Sequence, residues 1–275
     1  MMRDAYSPYE HTVECYGGCP ELFRDCKACP SFDLLRELVS IAAARGKTAR
    51  SGDVARALDM WVAAEFRRAG FPADAIWPRL VMPRALDASV LSFIKKMNPV
   101  LAEQCCGELT LRYKSTTASV MGAAYAKQVD VGMSSWPSGP ELLVSTKTMS
   151  SSFGKNMANR FEEAYGDAKN LKSRHPFAAV GFVFLVHADI LSEPAVFSKA
   201  ISMLEKLQAE PDVYDAVGLL VADWSTAGAE LTVDSKFIPE SLSMSRFFEM
   251  LVKLVLSHAS PDSYPEARSQ FGKVV

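Results

Sequence analysis

The sequence predicts an α/β protein: a central mixed β-sheet of about five strands flanked by helices, with a helical region at its N-terminal side. Three observations carry that prediction. Apolar residues at helical spacing fill most of 33–104. Short strand-like runs bounded by turn residues follow from 108 to 149. Beyond 155, helical and strand-like stretches alternate to the end.

The elements follow in order. Residues 1–32 are irregular and rich in Cys, Pro and Gly. "DLLRELVSIAAARG" (33–46) has helical spacing, with Phe32 before it and Gly46 as a C-cap. "SGDVARALDMWVAAEFRRAG" gives a second helix, with Ser51 as N-cap and Gly70 as terminator. A loop punctuated by Pro72, Pro78 and Pro83 leads to a third helix over 87–104, which Pro99 kinks or breaks. "ELTLRYKS" (108–115) alternates as a strand does, "AAYAKQVDVGM" (123–133) reads as a second strand, and "ELLVSTKTM" (141–149) as a third. "SSWPSGP" (134–140) is the turn between the last two. Helix 155–176 places Met157, Phe161, Ala164, Ala168 and Leu171 on one stripe. A buried strand (178–191), a helix (194–208), a strand (214–225) and a last helix (241–258) complete the chain. The division expected is a Cys-rich metal-binding segment over 1–32, a helical region over 33–86 and an α/β core over 87–275.

Composition narrows the function classes. With 49% apolar residues, 23% charged residues and a net charge of -2, the chain can build a sizeable core. It has no global basic field to steer it to nucleic acid or anionic membrane, so any such binding comes from a local patch. No apolar run approaches a membrane span and "MMRDAYSPYEHTVECY" lacks a signal-peptide core, so a cytoplasmic location is expected. There, six cysteines point to free thiols or metal ligands rather than disulfides.

The chemistry gathers at the hairpin centred near Pro137. Opposed residues in an antiparallel pair have a constant index sum, so Asp130 falls opposite Val144 or Ser145. Ser145 and Lys147 share one strand face. Asp130, Ser145 and Lys147 therefore converge on one patch. An acid beside a lysine on a rigid sheet suits phosphodiester hydrolysis assisted by Mg²⁺, with the lysine orienting water or balancing developing charge. A second acid is needed, and "NRFEEAYGD" offers Glu162, Glu163 and Asp167. On the helical wheel Arg160, Glu163 and Asp167 lie on one flank, Glu162, Tyr165 and Lys169 on the other. Glu162 and Glu163 both stay open, with Glu163 ahead. Lys155, Asn156, Asn159 and Arg160, early in the helix, are candidates for DNA contact. Singly, each of these residues reads as ordinary strand-end or helix-surface chemistry. The set, in this order, does not.

In that order the stretch 87–190 resembles the PD-(D/E)xK nuclease superfamily, whose core runs helix, three-strand meander, helix, strand. Val129 stands where the motif has proline and Ser145 where it has its second acid. The chain is similar in that departure to type II restriction endonucleases with a Ser-x-Lys strand and a glutamate supplied by the next helix. The resemblance implies that Asp130 and a helix glutamate bind Mg²⁺ and that Lys147 assists the water. It also implies double-stranded DNA as substrate and a homodimer, since palindromic sites favour two-fold symmetry. A non-catalytic binding protein on the same fold and a DNA repair nuclease are the competing expectations.

The remaining motif is "CYGGCPELFRDCKAC". Cys15, Cys19, Cys26 and Cys29 form C-x₃-C-x₆-C-x₂-C, four soft ligands suited to a structural Zn²⁺ or to iron. Cys105 and Cys106 read as buried free thiols. "SSSFGK" lacks phosphate-loop spacing and no G-x-S-x-G elbow occurs, so NTPase and serine-hydrolase readings are set aside.

Overall fold

The computed structural model describes residues 4–16, 21–45, 52–113, 118–224, 230–232 and 237–273. Helix α1 (Glu10–Cys15) leads into a small hairpin, β1 (Phe23–Arg24) and β2 (Lys27–Ala28). Helices α2 (Phe32–Ala44) and α3 (Asp53–Arg68) follow, then the short strand β3 (Ile76–Trp77). Helices α4 (Ala88–Lys95) and α5 (Pro99–Tyr113) precede strands β4 (Ala118–Met121), β5 (Ala126–Val129), β6 (Val131–Ser135) and β7 (Gly139–Met149). The rest alternates: α6 (Phe153–Arg174), β8 (Ala179–His187), α7 (Pro194–Ala209), β9 (Ala216–Asp223), β10 (Glu230–Thr232), α8 (Met244–His258) and α9 (Pro265–Phe271).

Among the described residues six strands form the central sheet, in the order β10-β9-β8-β7-β6-β3. β7, β8 and β9 are parallel, joined through α6 and α7, and the remaining pairs are antiparallel. This is the mixed α/β sheet expected, with β3 and β10 as short edges. Every residue of β8 is buried, which is what a strand covered on both faces requires. One face packs on α2, α3 and α8 around Trp61, Phe66, Phe247 and Phe248. The other packs on α6 and α7 around Phe153, Phe182, Phe184 and Phe197. Alternation along β7 assigns Leu142 and Val144 to the first core and Leu143 and Met149 to the second.

Local signals explain the element ends. Ser31, Asp87 and Ser243 cap α2, α4 and α8 by accepting backbone N–H groups of the first turn. Pro99 cannot continue α4, so the single helix expected over 87–104 is two, with Pro99 opening α5.

Two strand expectations are corrected. Residues 108–113 lie in α5, not in a strand. Leu109 and Thr110 are only half-buried there, and Leu111 is 72% exposed. A helix already begun at Pro99 simply runs on through Glu103, Gln104 and Glu108, good helix formers. The single strand expected over 123–133 breaks at Asp130. β5 pairs with β4 in a separate hairpin, whereas β6 joins the central sheet. The strand paired on the far side of β6 is β3, and the helix before it is α3 rather than the one at 87–104. The N-terminal residues Tyr6, Tyr9, Val13, Leu22 and Phe23 belong to the first core. Arg84, 1% exposed, ties that segment down through ion pairs to Asp4 and Glu10.

Candidate active site

The β6–β7 register brings the predicted residues together. Val131 pairs with Val144, Gly132 with Leu143 and Met133 with Leu142; a bulge after Met133 then shifts the pairing to Ser134 with Pro140. Extending the first register by one residue sets Asp130 opposite Ser145. The chain bends at Asp130 between β5 and β6, and the bend turns its carboxylate toward β7. There Oδ2 accepts the Thr146 N–H at 2.9 Å.

Lys147, two residues along the same face as Ser145, reaches α6. Its Nζ donates to Glu163 Oε1 at 3.0 Å, while Arg160 donates to Glu163 Oε2 at 2.9 Å. Helix rotation is thus settled in favour of Glu163. Met157, Ala164, Ala168 and Leu171 are buried against the sheet. Glu162 is exposed on the opposite flank, where Lys169 stands over the Tyr165 ring. Lys155, Asn159 and Arg160 are exposed and Asn156 half-buried, all within the first turns of α6.

Several neighbours carried no signal in the sequence. Lys127 of β5 pairs with Asp167, one turn beyond Glu163, and the Tyr125 hydroxyl donates to Asp167 Oδ1 at 3.1 Å. The β4–β5 hairpin is thereby fixed across α6, helped by Asn170, which binds the backbone of Ala124 and Tyr125. Ser145, 4% exposed, hydrogen-bonds the buried Tyr214 hydroxyl, so this residue that stands in the second acid's place is a buried polar anchor. Behind β7, Asp59 of α3 is 4% exposed. Its Oδ1 accepts from Thr146 Oγ1 at 2.5 Å and its Oδ2 from the Tyr6 hydroxyl at 2.9 Å.

The electrostatics divide the acids. Burial raises the Asp130 carboxyl above its usual range, against the pull of the Thr146 N–H, Lys147 and Lys127, and Asp167 raises it further. Burial, then the charge of Asp130, pushes Asp59 up to about 8 despite its two hydroxyl donors. Burial also acts on Glu163, but Lys147 and Arg160 outweigh it and hold that carboxyl below its usual range. At neutral pH Glu163 is therefore ionised, whereas Asp59 largely keeps its proton.

The carboxyl oxygens of Asp130, at the bend before β6, and of Glu163, on α6, are hard donors of the kind a divalent cation such as Mg²⁺ takes. Among the described residues no three His, Cys, Asp or Glu side chains close around one point. A set of one or two carboxylates still suits Mg²⁺, which keeps several of its waters. Three of the four cysteines expected to hold a metal lie among the described residues, and they do not gather around one point. Cys15 is exposed near His11, and Cys26 sits in the left-handed turn between β1 and β2. Cys29 faces the Arg24 and Lys27 carbonyls, and Cys19 lies outside the described residues. Cys105 and Cys106, expected to be buried, are half-exposed on α5.

No protein-family model, curated protein or solved structure matches the chain.

Proposed function

We propose that the protein is an Mg²⁺-dependent endonuclease that hydrolyses phosphodiester bonds in double-stranded DNA at a specific site, in the manner of a type II restriction enzyme, and acts as a homodimer. One observation carries this reading: Asp130, held on the Thr146 N–H, and the Lys147–Glu163 ion pair meet at one end of the β6–β7 ladder. The sequence pattern and the geometry both support Asp130, Lys147 and Glu163 in these roles.

Asp130 and Glu163 would hold the cation. When bound, it supplies charge neutralisation at the phosphate and a more acidic water. Lys147 keeps its ammonium beside that centre, where it can donate a hydrogen bond to the attacking water and balance charge developing on the phosphate. Arg160 fixes the second oxygen of Glu163, leaving the carboxylate oriented. Ser145, bonded to Tyr214, maintains the strand face without supplying a charge. The exposed Lys155, Asn159 and Arg160 and the half-buried Asn156 stand where the DNA backbone would pass α6, and contacts there set position rather than sequence.

The test is incubation of the purified protein with unmethylated and methylated duplex DNA, with Mg²⁺ or with EDTA. Discrete fragments are expected, lost with EDTA and with Lys147→Ala. DNA binding without cleavage of any substrate would refute the nuclease and leave a binding protein. Cleavage without discrete fragments would point instead to a structure-directed repair nuclease.

A further inference from the structure

The N-terminal segment reaches the candidate site through three hydrogen bonds. The Tyr6 hydroxyl donates to Asp59 Oδ2, Thr146 Oγ1 donates to Asp59 Oδ1, and the Thr146 N–H donates to Asp130 Oδ2, at 2.9, 2.5 and 2.9 Å. Tyr6, Asp59 and Thr146 are each at most 5% exposed, so water cannot readily replace a missing partner. From this we infer that Tyr6 is a positioning residue: through Asp59 and Thr146 it fixes the Asp130 carboxylate, which makes the N-terminal segment part of the active site. The inference rests on the nuclease reading above.

Asp130 sits at a bend, outside both strand ladders. Its carboxylate takes its orientation from the Thr146 N–H on the neighbouring strand. The Thr146 side chain lies on the opposite face of β7 from Lys147 and is held by Asp59. Asp59 in turn is flanked by the apolar residues Leu58 and Met60, both fully buried. Its two oxygens are each engaged by one hydroxyl. Removing the Tyr6 hydroxyl leaves one oxygen of a buried carboxyl without a donor. The carboxyl then turns, or draws in another group, and Thr146 moves with it. Tyr6 does not stand alone in a loose tail. Asp4 and Glu10 are ion-paired to the buried Arg84, and the Tyr9 hydroxyl donates to the Asp53 carbonyl at 2.9 Å.

The test compares Tyr6→Phe, Thr146→Val, the double variant and Tyr9→Phe in the full-length protein. Ca²⁺ binding is read by calorimetry, and Mg²⁺-dependent DNA cleavage as kcat and KM. Tyr6→Phe and Thr146→Val are each expected to weaken Ca²⁺ binding and lower kcat about five- to tenfold, with KM for DNA unchanged, as for loss of an indirect contact. The double variant should be no worse than the weaker single one, because both cut the same chain of bonds. Tyr9→Phe removes a similar buried hydroxyl from the same segment and should lower the melting temperature while leaving both readouts unchanged. If Tyr6→Phe lowers only the melting temperature, as Tyr9→Phe does, or if the losses in the double variant multiply, the inference is overturned. A wild-type protein that binds Ca²⁺ but cuts no DNA refutes the nuclease reading separately, and the calorimetric comparison still decides the role of Tyr6.

Discussion

Replacing Asp59 with asparagine isolates the cost of placing a carboxyl behind β7. The folded-state value of about 8 stands well above the ordinary 3.8. Below about pH 4 both folded and unfolded chains hold the proton, and the group has no effect on stability. Between about pH 4 and 8 the unfolded chain releases it while the folded chain keeps it, so stability falls as pH rises. Above that window both are ionised and the deficit is complete. A gap of about four pKa units at ~1.4 kcal/mol each sets an upper bound on the order of 6 kcal/mol. Relaxation around the ionised group reduces this, and about 2–3 kcal/mol is the expected loss across the window. Asp59→Asn keeps the size and an acceptor but cannot ionise. Its stability should decline less steeply from pH 5 to 9 than that of the wild type, because the Asp59 proton no longer contributes. Urea unfolding in EDTA at each pH measures this directly. Parallel curves would show that Asp59 ionises normally, and the account of the buried carboxylate pair would be wrong.

Other outcomes test the remaining parts of the site. Lys147→Ala and Glu163→Gln should each lower kcat at least about a hundredfold, the scale of losing a group that acts in the transition state, while Glu162→Gln stays within about twofold; equal loss for Glu162 and Glu163 would contradict the helix rotation. Lys147→Met should raise the Glu163 carboxyl toward its ordinary range, since Lys147 is the largest influence opposing burial there, and carbon-detected NMR titration reads that shift. Gly132→Ala would set a methyl 2.6 Å from the Trp77 ring and 2.7 Å from the Leu142 carbonyl. A loss of about 2–3 kcal/mol is expected by urea unfolding, and an unchanged stability would mean the sheet there is looser than it stands. The metal reading of the cysteine segment now depends on Cys19: elemental analysis should find one zinc or iron ion per chain that Cys19→Ser removes, and a wild-type protein free of both refutes it.

Much of this architecture was legible because the signals were local. β8 and β9 announce themselves as short apolar runs ending in one polar residue each, and α6 by a stripe that the structure buries. The Asp130–Ser145 pairing followed from the turn at Pro137 and the period of two along a strand, and the bulge after Met133 accounts for both index sums the sequence allowed. The misread stretch 108–113 failed for a different reason. An exposed helix leaves no core to impose a period, so a chance alternation of Leu109, Leu111 and Tyr113 looked like a strand. β3 was missed because two residues between prolines carry too little pattern. Asp59, Lys127 and Tyr6 could not be found from spacing, since each reaches the site through tertiary packing of elements far apart in the chain.

The brevity of β3 bears on assembly. An exposed sheet edge is a template on which a second chain can add a strand, and long flat edges invite indiscriminate aggregation. Here the β3 edge offers two residues, followed at once by Pro78, which lacks an N–H. At that edge copies of this chain have little backbone with which to zip together into a continuous sheet. Along α4 and α5, by contrast, Phe93, Val100, Leu101 and Leu111, 54–72% exposed, offer apolar side chains on which a second copy could pack.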